Sequence, residues 1–238
     1  GVIGKTPLYG LHIRENRKGT VLVKVEASLK DEFDFTLLGY YVGKMVGYGI
    51  PVLTGIKRKP STEELVNFCA MSNVPGAISM FHIPGFTVEA STVEEAFQGD
   101  VPEDKISISD VELKRAFEEL QTTDNEADFV LLGCPHYTLR QLEEIARLLM
   151  DKRLRKDAGF WVCTSATTKV LAERSGAVAA IEKAGGHVVV DTCIDEPCWV
   201  AYKGKVGMTD SPKCAYYWRG KRLKVARLRD CVNAVVRS

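Results

Sequence analysis

Four places in this 238-residue sequence put ligand-type side chains directly after a short apolar run. His82 follows 77–81, Gly133-Cys134-Pro135-His136 follows 129–132, Cys163-Thr164-Ser165 follows 160–162, and Asp191-Thr192-Cys193 follows 188–190. Thiols and imidazoles ligate metals, attack electrophiles or carry protons, and hydroxyls orient substrate oxygens. Any one such strand end is ordinary. Four in one chain point to a shared cleft, because open parallel sheets bind ligands beyond the carboxyl ends of their strands. Cys134 stands just before a helix start near Thr138, where the local positive potential stabilises a thiolate. That suits a metal ligand or a nucleophile, although a small buried residue in a strand-to-helix turn has the same spacing. Cys193 and Cys198 form a C-x4-C pair. A zinc module needs a second tight pair, and none is visible. Iron–sulfur sites accept distant thiolates, which leaves Cys134 and Cys193 as candidates to meet in space and Cys198 as a packed or idle thiol. His136 is two residues from Cys134, and a capping or surface histidine fits as well. Ser211-Pro212-Lys213 sets a hydroxyl and an ammonium at a helix start. This arrangement suits a carboxylate or phosphate, or a plain cap followed by a solvated lysine.

These side chains need elements to carry them, and strand and helix signals alternate along the chain. Residues 20–28 alternate apolar and polar, as a half-buried strand does. Further strands are expected at 50–53, 77–83, 128–133, 159–163, 187–190 and 223–226, with a hairpin over 200–208 around Lys203-Gly204. Helices are expected at 34–48, from Pro60-Ser61-Thr62-Glu63-Glu64 onward, at 92–97, from Ser109 to Leu120, from Thr138 to Met150, at 167–174, 177–184, 213–217 and 229–236. Ser61, Thr62 and Ser109 are the capping hydroxyls, with acids in the first turn. Residues 99–105 read as a polar loop, and Gly185-Gly186 as a helix stop. Gly39, Gly43 and Gly47 recur every four residues inside a helical stretch, not after a strand as a dinucleotide fingerprint requires, so close helix packing is their expected role. Cys69 and Cys231 are expected in the core, and His12 and His187 as structural residues.

Apolar strands separated by amphipathic helices imply an α/β fold, with mainly parallel sheets covered by helices on both faces. The polar segment 121–127 is the candidate seam between a first lobe, 1–120, and a second, 128–238. Lys plus Arg total 32 against 31 Asp plus Glu. That balance argues against a nucleic-acid partner, which demands a clustered basic surplus. With 45% apolar residues the chain can build a core without staples, so disorder is excluded as its main state. No apolar run nears the roughly 20 residues of a membrane helix, and no secretory signal opens the chain. Seven cysteines at irregular spacing argue for reduced thiols in a cytoplasm. The start, Gly1-Val2-Ile3-Gly4, reads like the continuation of something longer.

Several segments together resemble the aconitase X family. They are Gly4-Lys5-Thr6-Pro7-Leu8-Tyr9-Gly10-Leu11-His12 with Glu15-Asn16-Arg17, Leu38-Gly39-Tyr40-Tyr41-Val42-Gly43-Lys44, and Phe81-His82 with Gly85, Thr87 and Glu89-Ala90. Leu132-Gly133-Cys134-Pro135-His136, Thr164-Ser165, Leu171 to Gly176, Asp191-Thr192-Cys193 and Asp230-Cys231-Val232 continue the likeness to the chain's end. The resemblance implies aconitase-like three-layer lobes and a hydro-lyase that removes water from a small hydroxy acid, cis-3-hydroxy-L-proline or mevalonate 5-phosphate. It implies an iron–sulfur cluster (4Fe–4S or 2Fe–2S) on three cysteines. Cys134 and Cys193 fall on two of those positions, and the third is expected upstream of Gly1. A small swivelling-domain subunit is the implied partner, so this chain is expected to be inactive alone. His136, Thr164 and Ser165 are the implied catalytic set. His82, Ser211 and Lys213 are the implied contacts to a carboxylate substrate. Thr209-Asp210-Ser211-Pro212-Lys213 departs from the family's Thr-Asn-Ser-Ala-Lys at Asp210 and Pro212, which leaves the substrate open. The competing reading is a non-catalytic ligand-binding or subunit-docking α/β domain with structural cysteines.

Overall fold

The structure, a computed structural model, describes residues 2–193, 202, 204–218 and 222–237. The chain divides into two compact units, Gly1–Ala116 and Phe117–Ser238. The first unit is built on a parallel sheet of three strands, β1 (Val21–Val25), β2 (Pro51–Thr54) and β3 (Asp104–Ile108), in the order β2-β1-β3. Its helices are α1 (Glu32–Val46), α2 (Thr62–Gly76) and α3 (Val93–Ala96), and α4 (Asp110–Leu120) crosses the unit boundary. The periodicity of β1 is kept, with Val23 and Val25 buried on either side of an exposed Lys24. Ser61 and Glu64 form the expected capping box at the start of α2, and Thr92 with Glu95 forms another on α3. The glycine spacing in α1 is a packing device. A Cβ on Gly39 would meet the Phe68 carbonyl oxygen at 2.6 Å, and one on Gly43 the Ser72 oxygen at 2.4 Å, so α1 and α2 approach backbone to backbone.

Three expectations are corrected here. Residues 77–83 do not form a strand. They touch β2 through one parallel bridge, Val52 to His82, because His82 alone exchanges backbone hydrogen bonds with Pro51 and Leu53. The segment read as loop over 99–105 runs into β3, whose short edge position leaves Asp104 and Lys105 exposed and hides the strand's apolar signal. Cys69 is exposed on α2, not buried in the core.

The second unit carries a five-stranded sheet, parallel throughout. Its strands are β4 (Phe129–Tyr137), β5 (Gly159–Thr164), β6 (His187–Val190), β7 (Gly207–Thr209) and β8 (Leu223–Val225), ordered β6-β5-β4-β7-β8. The hairpin expected over 200–208 is therefore replaced. Residues 200, 201 and 203 lie outside the described residues, and β7 enters the sheet parallel to both β4 and β8. Helices α5 (Leu139–Leu148), α6 (Ala166–Arg174), α7 (Ala177–Ala184) and α9 (Leu228–Asn233) cover one face. Leu142, Ile145, Ala172, Ile181 and Val232 pack there with Val130, Leu132, Phe160 and Val162. On the opposite face Phe129 meets Trp218, which ends α8 (Pro212–Tyr217), and Tyr202. The arrangement is the three-layer α/β fold expected. Residues 121 and 122, in the predicted seam, bind the edge of β8. Thr122 Oγ1 and Gln121 Nε2 donate to the Leu223 and Val225 carbonyls, and their oxygens accept from the amides of the same two residues. Among the described residues no helix is long and apolar enough to cross a membrane.

Candidate functional site

The parallel order of the second sheet sends the carboxyl ends of β4, β5, β6 and β7 to one rim, and each ends in polar residues. Beyond β4's apolar run stand Gly133, Cys134, Pro135, His136 and Tyr137. Thr164 and Ser165 close β5, Asp191 to Cys193 follow β6, and Thr209 to Ser211 close β7. Gly133 makes this crowding possible. Its φ is +93°, and a Cβ there would lie 2.1 Å from the Cys163 carbonyl oxygen of β5. Only glycine allows both that conformation and that approach. The strand pairing shifts register between Leu132 and Tyr137, so Cys134 and His136 stand clear of the regular ladder.

Hydrogen bonds bind the four strand ends together. Thr164, fully buried, donates its hydroxyl to the Tyr137 carbonyl at 2.7 Å and accepts the Asp191 amide on its own carbonyl at 3.1 Å. Ser211, 3% exposed, donates to the Cys134 carbonyl at 2.5 Å while accepting the Cys214 amide at 3.1 Å as the cap of α8. The Tyr137 phenol donates to Asp210. His136 Nε2 lies 2.7 Å from the Thr192 carbonyl oxygen, which only accepts, so Nε2 is the donor. Ser165 caps α6, accepting from the Thr168 amide at 3.1 Å and lying 2.9 Å from the Thr168 hydroxyl. Asp191, in the left-handed region at φ +52°, accepts the Ala166 amide at 3.1 Å on the same helix start.

Of the residues singled out from sequence, Cys134, His136, Thr164, Ser165, Cys193, Ser211 and Lys213 all belong to this rim or its immediate continuation. Cys134 is half-buried and Cys193 exposed, and Lys213 sits half-buried in the first turn of α8. His82 belongs to the first unit and is 2% exposed, its Nε2 2.7 Å from the Arg17 carbonyl oxygen and its Nδ1 buried without a hydrogen-bonding partner among the described residues. Cys198 lies outside the described residues. Tyr137 escaped the sequence reading, while Asp191 and Asp210 stood in it only as members of the Asp191-Thr192-Cys193 and Thr209-Asp210-Ser211-Pro212-Lys213 segments, without the hydrogen bonds they make here. Burial, and then the nearby carboxylates of Asp210 and Asp230, push the fully buried Cys231 thiol well above its ordinary range, which keeps it an inert core residue behind the rim.

Two thiols on one rim are the right donors for an iron–sulfur centre. They are an incomplete set, because no group of three His, Cys, Asp or Glu side chains able to hold a metal ion gathers among the described residues. The second unit is thus a parallel α/β unit whose strand ends bring Cys134, His136, Asp191 and Asp210 to one rim, with Lys213 on the helix that follows. Comparison with known proteins defines it further. The sequence profile of the aconitase X second domain matches residues 19–118, and that of the aconitase X third domain matches residues 127–237. The phosphomevalonate dehydratase large subunit of Methanocaldococcus jannaschii is 40% identical over 199 residues, covering 81% of this chain and 48% of the relative. That of Thermococcus kodakarensis is 35% identical over 98% of this chain and 58% of its own length. The cis-3-hydroxy-L-proline dehydratase of Pseudomonas aeruginosa is 32% identical over 98% of this chain and 42% of its own length. The crystal structure of holo-form aconitase X from Thermococcus kodakaraensis superposes with a TM-score of 0.87 at 33% identity, over 98% of this chain and 59% of the other. The chain belongs to the aconitase X family. It spans about half the length of the curated relatives it matches.

Proposed function

We propose that this chain is part of a hydro-lyase that removes water from a small hydroxy acid, with mevalonate 5-phosphate the first candidate and cis-3-hydroxy-L-proline the second. The observation carrying this reading is the polar rim of the second sheet, in a chain whose relatives are named as dehydratases of these two compounds. Identity rises to 40% with a phosphomevalonate dehydratase large subunit against 32% with a hydroxyproline dehydratase, which sets the order of the two. Cys134 and Cys193 are proposed as two ligands of an iron–sulfur cluster, with a third from outside the described residues. When bound, such a cluster supplies a Lewis acid that makes hydroxide a better leaving group. The hydroxyls of Thr164 and Ser211 are already donated to carbonyls, and Ser165 caps a helix. These three would therefore hold the rim's shape instead of touching substrate. Lys213 is the group proposed to receive the substrate's phosphate or carboxylate, as an ammonium on the first turn beyond the rim. The name "large subunit" on the relatives supports a second, small subunit as the partner that completes the enzyme.

The test uses the complete subunit pair, reconstituted with iron and sulfide and offered each substrate separately. Dehydration of one compound with visible cluster absorption is expected, and Cys134→Ser should abolish the absorption. Absorption that survives Cys134→Ser removes this residue from the ligand set. A complex that takes up no metal and loses only packing energy on Cys134→Ala and Cys193→Ala supports the non-catalytic reading instead.

A further inference from the structure

His136 presents an apparent contradiction. It is exposed on the rim, yet its Nε2 is held 2.7 Å from a backbone carbonyl 56 residues away, that of Thr192. In the sheet β5 lies between β4 and β6. The contact therefore passes over the end of β5 and joins two strands that do not pair. At one end it is anchored two residues past Cys134, and at the other it grips the residue just before Cys193. The chain leaves β6 at Asp191, whose amide is held by Thr164 and whose carboxylate is held by the start of α6. Asp191 then turns through the left-handed region, so the direction of the next two residues depends on what holds them. Thr192 is held by the imidazole.

We propose that His136 is a positioning residue that, through Thr192, fixes Cys193 at a set separation from Cys134. This deepens the function proposed above and rests on it. Two sulfurs that share one metal centre must keep their separation to within a few tenths of an ångström, since metal–sulfur bonds are short and stiff, about 2.3 Å for zinc. Cys193 is exposed, and the His136 contact to the preceding residue gives its backbone a fixed point on the strand that carries Cys134. Outer partners that orient ligands commonly alter metal affinity by about 10- to 100-fold. A histidine tether suits the task because its ring is rigid and its Nε2 proton is matched by a carbonyl that cannot compete for it.

The experiment compares His136→Ala with His136→Gln in the complete subunit pair. The side-chain amide of glutamine reaches about as far as imidazole Nε2 and donates to the same carbonyl. In the cluster-free complex, hydrogen exchange at the Asp191 amide should quicken about five- to tenfold in His136→Ala, the loss expected for one hydrogen bond nearby. It should stay near wild type in His136→Gln, with the amides inside β5 unchanged in both. In the reconstituted complex, iron loss to a chelator should be at least about tenfold faster in His136→Ala and within about twofold of wild type in His136→Gln. Unaltered Asp191 exchange in His136→Ala, or the same defect in both variants, overturns the proposal. The exchange measurement needs no metal, so it decides the role of His136 even where Cys134→Ser has removed the proposed ligand set.

Discussion

The close approach of β4 and β5 at Gly133 can be tested quantitatively by Gly133→Ala. An alanine there must hold a left-handed backbone, which costs about 1–2 kcal/mol. Its Cβ would also stand 2.1 Å from the Cys163 carbonyl oxygen, where carbon–oxygen contacts normally begin near about 3.3 Å. Both atoms are tied to backbone in neighbouring strands, so no side chain can move aside. The strands must part by about 1 Å, and roughly two flanking ladder bonds, each worth about 1 kcal/mol, are weakened. The expected loss is about 3–4 kcal/mol. Gly185→Ala is the control in the same unit. Its φ is +106°, but the nearest atom to a new Cβ is Leu154 Cβ at 3.7 Å, an ordinary contact. Strain alone remains there, about 1–2 kcal/mol. Urea unfolding followed by tryptophan fluorescence suits the comparison, because all three tryptophans, at 161, 199 and 218, fall in the second unit's sequence. With a slope of about 1–3 kcal/mol per molar urea, Gly133→Ala should lower the midpoint about 1–2 M and Gly185→Ala clearly less. Equal midpoints for the two variants would show that the approach to Cys163 does not constrain this site.

Ser211→Ala removes both a helix cap and the bond to the Cys134 carbonyl, and should cost about 2 kcal/mol in the same assay, with Ser211→Thr recovering most of it. In the first unit, Glu64 is bound by both terminal nitrogens of Arg58, at 2.5 and 2.7 Å. Burial alone would raise its carboxyl, but the Arg58 guanidinium and the Ser61 amide outweigh burial and leave it below its ordinary value. A carboxyl lower in the folded chain than in the unfolded one stabilises fully above the unfolded value, about 4.3, and loses that contribution as pH falls through the folded value. Stability measured by circular dichroism should therefore fall less steeply below about pH 4 in Glu64→Gln than in wild type.

Local order along the chain was enough to find most elements here, because caps and periodicity act over a few residues. The Ser61–Glu64 box, the Gly185 stop and the alternation of β1 are each contained within one turn or one strand, and the structure keeps all three. Gly39 and Gly43 were legible as packing residues for the same reason, since their spacing follows one helix face. The failures mark where local order carries no such information. β3 is an edge strand with exposed residues and no clean alternation. The segment 77–83 has an apolar run but only one bridge, so its hydrophobicity records burial and not pairing.

The candidate site divides along the same line. That Cys134, His136, Thr164, Cys193 and Ser211 follow apolar runs is written in their neighbours. That Thr164 and Ser211 have their hydroxyls turned to carbonyls is not, because the acceptors stand 27 and 77 residues away. Nor does chain order tell that β7 and β8 continue the sheet beyond β4 while β5 and β6 flank its other edge. Strand order follows from which faces can be buried together once every helix has found its place. A hydrogen bond across the rim, such as His136 to Thr192 or Tyr137 to Asp210, exists only after that choice is made.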